Sequence, residues 1–325
     1  MAKNNNFSKK AIIVSGIPRT ATTIVGKVIS EKASLNTIYE PFNYGQGLIS
    51  VDTNYYVPES NISIKDFDLI FNNLLELKGK FKVGLKKNDL FYKRVIKKIV
   101  GNESSISFKK AKYFSRKNGL LIKDPFLLFC SEYLSNKFKI IICERPLLPL
   151  AGSFKRMSWI FNENDRLLSD LNHLDSKFIE NDLKIDRMIN KNISKEVIGA
   201  VKFFSIYHLY KKRLTVKKNI YFLNQNELSD NPHKSIASLL NWLKIDTSNQ
   251  DINFLVKKIS SSSSKNVNPK KGVQHDRFYN KKFANKYYET FINEDEFEFI
   301  KTCEEIICSG GEIWTPDLRI MIPLL

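Results

Sequence analysis

The chain has 325 residues, 42% hydrophobic and 12% aromatic, enough for one large α/β domain or two small ones and too apolar for a disordered polymer. Lysine and arginine outnumber acidic residues 52 to 34, a formal net charge of +18, which points to anionic partners: nucleotide, nucleic acid, acidic glycan or a membrane surface. The excess is spread along the chain together with abundant asparagine and isoleucine, so part of it is compositional.

In chain order, the apolar run "AIIV" from Ala11 predicts a buried strand ending at Ser15, followed by a loop carrying Arg19 and a helix from Thr22 to Glu31. The stretch "EKASLNTIYEPFN" ends that helix and sends a short strand to Glu40 and Pro41. From Gly45 to Asn118 the periodicity weakens while Tyr, Phe, Lys and Asn crowd together. The run "GLLI" from Gly119 predicts a second buried strand, with a helix over Pro125 to Leu134. "KIIIC" from Lys139 predicts a third, with a helix over Pro146 to Phe161. A second weak segment spans Asn162 to Ser194, and a long helix spans Glu196 to Arg213. "IYFL" from Ile220 is a further strand, then come helices over Pro232 to Leu243 and Glu294 to Cys308, with a polar loop from Ser260 through "KNVNPKKGVQHDR" between them. Alternating buried strands and helices predict an α/β fold, a P-loop-like central parallel sheet flanked by helices, with ligands at the carboxyl ends of the strands. No linker or internal repeat divides the chain. Residues 1–325 therefore read as one domain, with 45–118 and 162–194 as insertions on the acceptor side, of the kind that form lids or substrate walls.

Four cysteines, Cys130, Cys143, Cys303 and Cys308, form no C-x-x-C pair, and four histidines show no metal-ligand spacing. This reading expects a reduced, cytoplasmic protein and no metal. No apolar stretch is long enough to span a bilayer, and the run after the basic N-terminus is too short for a signal sequence. The basic excess remains compatible with a peripheral place on a membrane.

The loop "SGIPRTATT" decides the chemistry. Set on the nucleotide P-loop template, Gly16 is followed by four residues and then by Ala21, Thr22 and Thr23, so the template's second glycine is alanine and its lysine is threonine. The cation that meets a γ-phosphate is missing. What remains is a strand end, an arginine and a helix whose first turn offers N–H groups and hydroxyls to an anion.

Four stretches, in order, resemble the sulfotransferases that use 3′-phosphoadenosine 5′-phosphosulfate (PAPS). "PRTATT" resembles their 5′-phosphosulfate loop through Pro18, Arg19, Thr20, Thr22 and Thr23, with Ala21 in place of the usual glycine. "YEPFN" resembles the carbohydrate sulfotransferases in particular, where a glutamate at about this place serves as base; that likeness implies such a role for Glu40. "CERPLLPLAGSF" places Arg145 at a strand end and Ser153 eight residues later, resembling the 3′-phosphate site. "QNELSDNP" resembles the segment that follows, through Glu227, Leu228 and Pro232. Gln225 stands where relatives often carry an aromatic residue, and Ile24 where some cytosolic members carry a tryptophan. Lys123, before Asp124 and Pro125, resembles the lysine that steadies the transferring sulfuryl group, and "PKKG" with Lys271 and Gly272 resembles the loop over the 3′-phosphate.

The resemblance covers about half the chain, residues 11–44 and 119–245. It implies catalytic roles for Glu40, Lys123 and Arg19, and donor binding by Gly16, Arg19, Thr20, Ala21, Thr22, Thr23, Arg145, Ser153, Lys271 and Gly272. PAPS is the implied co-substrate, with no metal, and a hydroxyl acceptor of carbohydrate type is the implied partner. His275 is an alternative base, and the aromatic segment from Tyr55 to Tyr92 is equally compatible with stacking on sugar faces and with plain packing. Two other readings compete. A degenerate P-loop nucleotide or sugar kinase requires Mg²⁺ and ATP, which the missing loop lysine opposes. A basic nucleic-acid-binding protein requires a recognition motif, and the sequence has none, so nucleic acid is not expected as a partner.

Overall fold

A computed structural model describes residues 11–84, 92, 99–114, 119–261 and 290–308. Its centre is a five-stranded sheet made of β1 (Ala11–Gly16), β2 (Asn36–Tyr39), β3 (Leu120–Lys123), β4 (Lys139–Glu144) and β5 (Ile220–Asn224), in the order β2-β3-β1-β4-β5. Every pairing is parallel. The sequence reading of an α/β fold with a P-loop-like parallel sheet therefore holds. The apolar runs become central strands because both faces are covered, which favours continuous Val/Ile/Leu segments over alternation.

On one face Val14, Leu121, Ile141 and Leu223 pack against Val25, Val28 and Ile29 of α1 (Thr22–Lys32). The same face is completed by α8 (Gln225–Asp230), α9 (Pro232–Leu243) and α10 (Asn249–Ser261). On the other, Ile13, Ile122, Ile140 and Ile142 belong to a larger core that continues through α2 (Ile64–Leu75), α3 (Glu103–Lys109), α4 (Leu147–Met157), α5 (Asn164–Leu171), α6 (Lys177–Asp186), α7 (Lys195–Leu214) and α11 (Glu294–Cys308). Among the described residues, no helix is long and apolar enough to cross a membrane.

Several boundaries differ from expectation for local reasons. β1 runs one residue further, to Gly16. The helix expected over Pro125–Leu134 starts as a 3₁₀ segment, Pro125–Cys130, because Asp124 caps it through Phe126 N–H and proline occupies its first position. The helix expected to reach Phe161 ends at Met157, where Ser158 turns left-handed at φ 49°. The polar loop begins later than Ser260, since α10 reaches Ser261.

The two weakly periodic segments contribute helices and core. Ser63 caps α2, accepting from Asp66 N–H at 3.1 Å. Phe67 and Phe71 stack at 5.8 Å between ring centroids, and Phe42 lies 5.7 Å from Phe67. Tyr55, Tyr56, Phe67 and Phe71 are all buried. Of the two readings left open for this segment, sugar stacking or plain packing, these four rings follow the second.

Gly16 marks the tightest approach. Its φ is 141°, and a Cβ there would stand 2.2 Å from the carbonyl oxygen of Cys143 on the paired strand β4. Backbone in the sheet centre has little room to yield. Gly16→Ala is expected to cost roughly 2–4 kcal/mol in urea unfolding; a change below about 0.5 kcal/mol contradicts this account of the glycine.

Candidate functional site

The loop between β1 and α1 is shaped by its own hydroxyl and by two left-handed residues. Thr20 Oγ1 donates to the Ile17 carbonyl at 2.6 Å, and Arg19 and Ala21 have φ of 74° and 64°. Ala21 is the N-cap of α1 and makes no side-chain cap bond, while its carbonyl accepts from Ile24 N–H at 2.9 Å and Val25 N–H at 3.1 Å. The N–H groups of Thr22 and Thr23 are first-turn donors, which a helix itself cannot satisfy, and the first turn carries no acidic residue. Such a concavity of N–H groups suits an anion. Left-handed backbone at a non-glycine residue costs about 1–2 kcal/mol, so Ala21 keeps, under strain, the conformation that glycine adopts freely. Thr20 and Thr22 are buried and Thr23 is exposed.

Glu40 and Lys123 meet because β2 pairs with β3 in the register Tyr39↔Lys123. Glu40 N–H donates to the Lys123 carbonyl at 2.8 Å, its φ turns to 44°, and Lys123 Nζ donates to Glu40 Oε1 at 2.6 Å. Asn43 Nδ2 donates to the other oxygen, Oε2, at 3.1 Å. The lysine side chain is 8% exposed and the glutamate 32%, so the carboxylate is the partner that solutes can reach.

Beneath this pair lies a carboxyl that sequence reasoning passed over. Asp124 is fully buried, with Oδ2 accepting from Phe42 N–H at 2.6 Å and Oδ1 from Phe126 N–H at 2.9 Å. Burial first, then the neighbouring Glu40 carboxylate, push its pKa up to about 8, against the two N–H donors and Lys123. An acidic residue directly after an apolar strand was the available signal.

On the other side of β1, Arg145 and Ser153 come to the loop. Arg145 is 3% exposed and donates through Nη1 to the Arg19 carbonyl at 3.2 Å. Arg19 Nε donates to Ser153 Oγ at 3.4 Å, and Ser153 is fully buried. Arg19, Arg145 and Ser153 thus form one cluster beside the helix N-terminus, able to hold a second anionic group through charged forks and a hydroxyl. Gln225 follows the last β4–β5 pair, Glu144↔Asn224, and is 7% exposed. Lys271, Gly272 and His275 lie outside the described residues. Among the described residues, no group of three or more His, Cys, Asp or Glu is placed to hold a metal. An open depression of about 620 Å³ between β2 and α2 is lined by Asp52, Tyr56, Glu59, Asn61 and Asp66; its carboxylates suit it poorly to a polyanionic donor.

The buried Asp124 generates a pH test. A raised folded pKa stabilises the fold most below the unfolded value, about 3.9, and that contribution is lost as pH rises towards 8. Asn has no such loss and adds only a pH-independent offset for the amide. The Tm of Asp124→Asn minus that of wild type is expected to rise between pH 5 and pH 8 in scanning calorimetry; a constant difference contradicts a protonated Asp124.

No protein-family model matches the chain, and no curated protein sequence matches it. Among solved structures, a mouse sulfotransferase, SULT7A1, complexed with PAP aligns over 95% of this chain and 91% of that one, at 13% identity and a TM-score of 0.46. Retinol dehydratase in a complex with retinol and PAP aligns over 97% of this chain and 86% of that one, at 13% identity and a TM-score of 0.51. The second likeness shows a shared fold: this chain has the α/β architecture of retinol dehydratase.

Proposed function

We propose that the chain is a PAPS-dependent sulfotransferase that moves a sulfuryl group to the hydroxyl of an acceptor, a glycan or glycoconjugate. The observation that carries this reading is the pair of anion sites on either side of one loop. The N–H groups after Ala21 suit one anion, and Arg145 with Ser153 and Arg19 suits another. A nucleotide phosphorylated at both 5′ and 3′ positions needs two such sites, whereas a nucleoside triphosphate needs a lysine that the loop does not have. PAP, named in complex with retinol dehydratase, has this double phosphorylation, and that protein shares the fold.

In this reading the acceptor hydroxyl gives its proton to Glu40 as its oxygen bonds to sulfur, and the bond from sulfur to the 5′-phosphate oxygen breaks. The products are the sulfate ester and adenosine 3′,5′-bisphosphate. Lys123 holds Glu40 in place before the reaction and donates to the charge that builds between sulfur and the leaving phosphate. Arg19 ties the two phosphate sites together, since its side chain meets Ser153 and its carbonyl meets Arg145. The carbohydrate acceptor rests on the likeness of "YEPFN" to carbohydrate sulfotransferases.

Calorimetry with adenosine 3′,5′-bisphosphate and adenosine 5′-monophosphate tests the donor. Arg145→Ala is expected to weaken the bisphosphate by roughly 10- to 150-fold, the equivalent of a charged hydrogen bond, and to leave the monophosphate within about twofold. Equal losses for both ligands contradict a 3′-phosphate role. For the chemistry, Glu40→Gln is expected to keep bisphosphate affinity and lose roughly 10²- to 10⁴-fold in transfer from PAPS to a panel of methyl glycosides. Turnover within about threefold of wild type removes Glu40 from the base role.

A further inference from the structure

Tyr55, Tyr56, Phe67 and Phe71 turn their rings into the core, but an aromatic that precedes them in the chain does not. Tyr44 is 51% exposed. A single exposed aromatic is ordinary in itself; the position of this one is not. Asn43, the residue before it, donates through Nδ2 to Glu40 Oε2, the carboxylate oxygen that Lys123 leaves untouched. Asn43 N–H also donates to the Glu40 carbonyl at 3.2 Å and closes a turn, so the Cα atoms of Glu40 and Asn43 lie within about 7 Å of each other. One more peptide adds about 3.8 Å, which puts the Tyr44 Cα no more than about 11 Å from that of Glu40. Two side chains on so close a pair of residues can meet the same monosaccharide, and both are open to solutes.

The ring is exposed without being loose. Asn54 Oδ1 accepts from the Tyr44 N–H at 2.9 Å, and Lys82 Nζ donates to the Tyr44 carbonyl at 2.7 Å and to the Val51 carbonyl. The same ammonium stands over the Tyr44 ring, 4.3 Å from its centroid, so it covers one face and the exposure belongs to the opposite face and the edge. Lys82 is located in turn by Asn102, which is 4% exposed and donates through Nδ2 to the carbonyls of Lys82 and Gln46 at 2.8 Å each. A ring fixed through its backbone and one face has little freedom left to lose when a ligand meets the other, which favours binding.

We propose that Tyr44 is an acceptor-contacting residue: its open ring face packs on the C–H face of the sugar whose hydroxyl Glu40 deprotonates. A pyranose carries such an apolar face between its hydroxyls, and an acyclic diol does not, so the contact selects a ring over a small alcohol. The inference rests on the proposed reading of Glu40 as base and of the acceptor as a sugar.

Tyr44→Ala and Tyr44→Phe are compared with wild type in Tm, in bisphosphate affinity and in sulfuryl transfer from PAPS to methyl glycosides and to ethylene glycol. Because the ring is half exposed, Tyr44→Ala is expected to keep its Tm within a few degrees and its bisphosphate affinity within twofold. Its kcat/KM for glycosides is expected to fall roughly 3- to 12-fold, through a higher KM at nearly constant kcat, which is the worth of one aromatic stack. Ethylene glycol is expected to stay within twofold, and Tyr44→Phe to stay near wild type throughout, since the ring remains. A glycoside kcat/KM within twofold of wild type in Tyr44→Ala overturns the proposal. An equal fall for both acceptors overturns it too, because the residue would then only hold the Glu40 turn. Tyr44→Phe as impaired as Tyr44→Ala overturns it in favour of a role for the hydroxyl. Wild type that transfers to ethylene glycol and to no glycoside overturns the sugar reading and this inference together. Wild type that transfers to glycosides, with Glu40→Gln equally active, overturns the base reading, and the Tyr44 comparison still decides whether the ring meets the sugar.

Discussion

Burial of the Lys123 ammonium at the carboxyl end of β3 demands a counter-charge, and the path of the chain around Glu40 answers that demand. A side chain only 8% exposed cannot hold a charge without a partner close by. Removing one member of a buried pair costs about 3–5 kcal/mol, because the other is stranded. β2 must therefore pair with β3 in the register that ends at Tyr39↔Lys123, and the chain must turn into the left-handed region at Glu40. Asp124 secures the turn from below by accepting the Phe42 N–H at 2.6 Å. The Glu40 carboxylate, partly open to solutes, is thus held by Lys123, Asn43 and the backbone at once.

The same strand order separates the charges laterally. β1 is central, with β3 on one side and β4 on the other, so its terminal loop has Lys123 to one flank and Arg145 to the other. Parallel pairing brings all these groups to one edge of the sheet, where helix N-termini also point. The close contact of Gly16 with Cys143 draws the loop against β4, and the two left-handed residues, Arg19 and Ala21, then turn the chain into α1. Arg19 is the bridge: its backbone serves Arg145 and its side chain serves Ser153.

What was legible in the sequence was whatever a strand end dictates. Glu40, Lys123 and Arg145 each end a strand or directly follow its last residue, and Gly16 to Thr23 lies between a strand and a helix, so their common edge could be inferred from order alone. Ala21 is different: alanine prefers helix, and only the loop closure forces φ to 64°. Asp124 was visible as a residue but its role was not, because its importance comes from Phe42 N–H, 82 positions away. Tyr55 was masked by composition. In a segment crowded with aromatics, ring packing against Phe129 and Phe203 depends on helices far along the chain, and no local period reports it. Residues 45–118 and 162–194 looked like loops for the same reason, since α2, α5 and α6 are stabilised by tertiary packing more than by propensity.

The central claim is that one loop holds a 5′-phosphate while Arg145 and Ser153 hold a 3′-phosphate. A crystal structure of the protein grown with adenosine 3′,5′-bisphosphate addresses it most directly. The account predicts the 5′-phosphate within hydrogen-bond distance of the Thr22 and Thr23 N–H groups and the 3′-phosphate within that distance of Arg145 and Ser153. A nucleotide bound elsewhere, or bound with its 3′-phosphate directed away from Arg145 into solvent, contradicts the account.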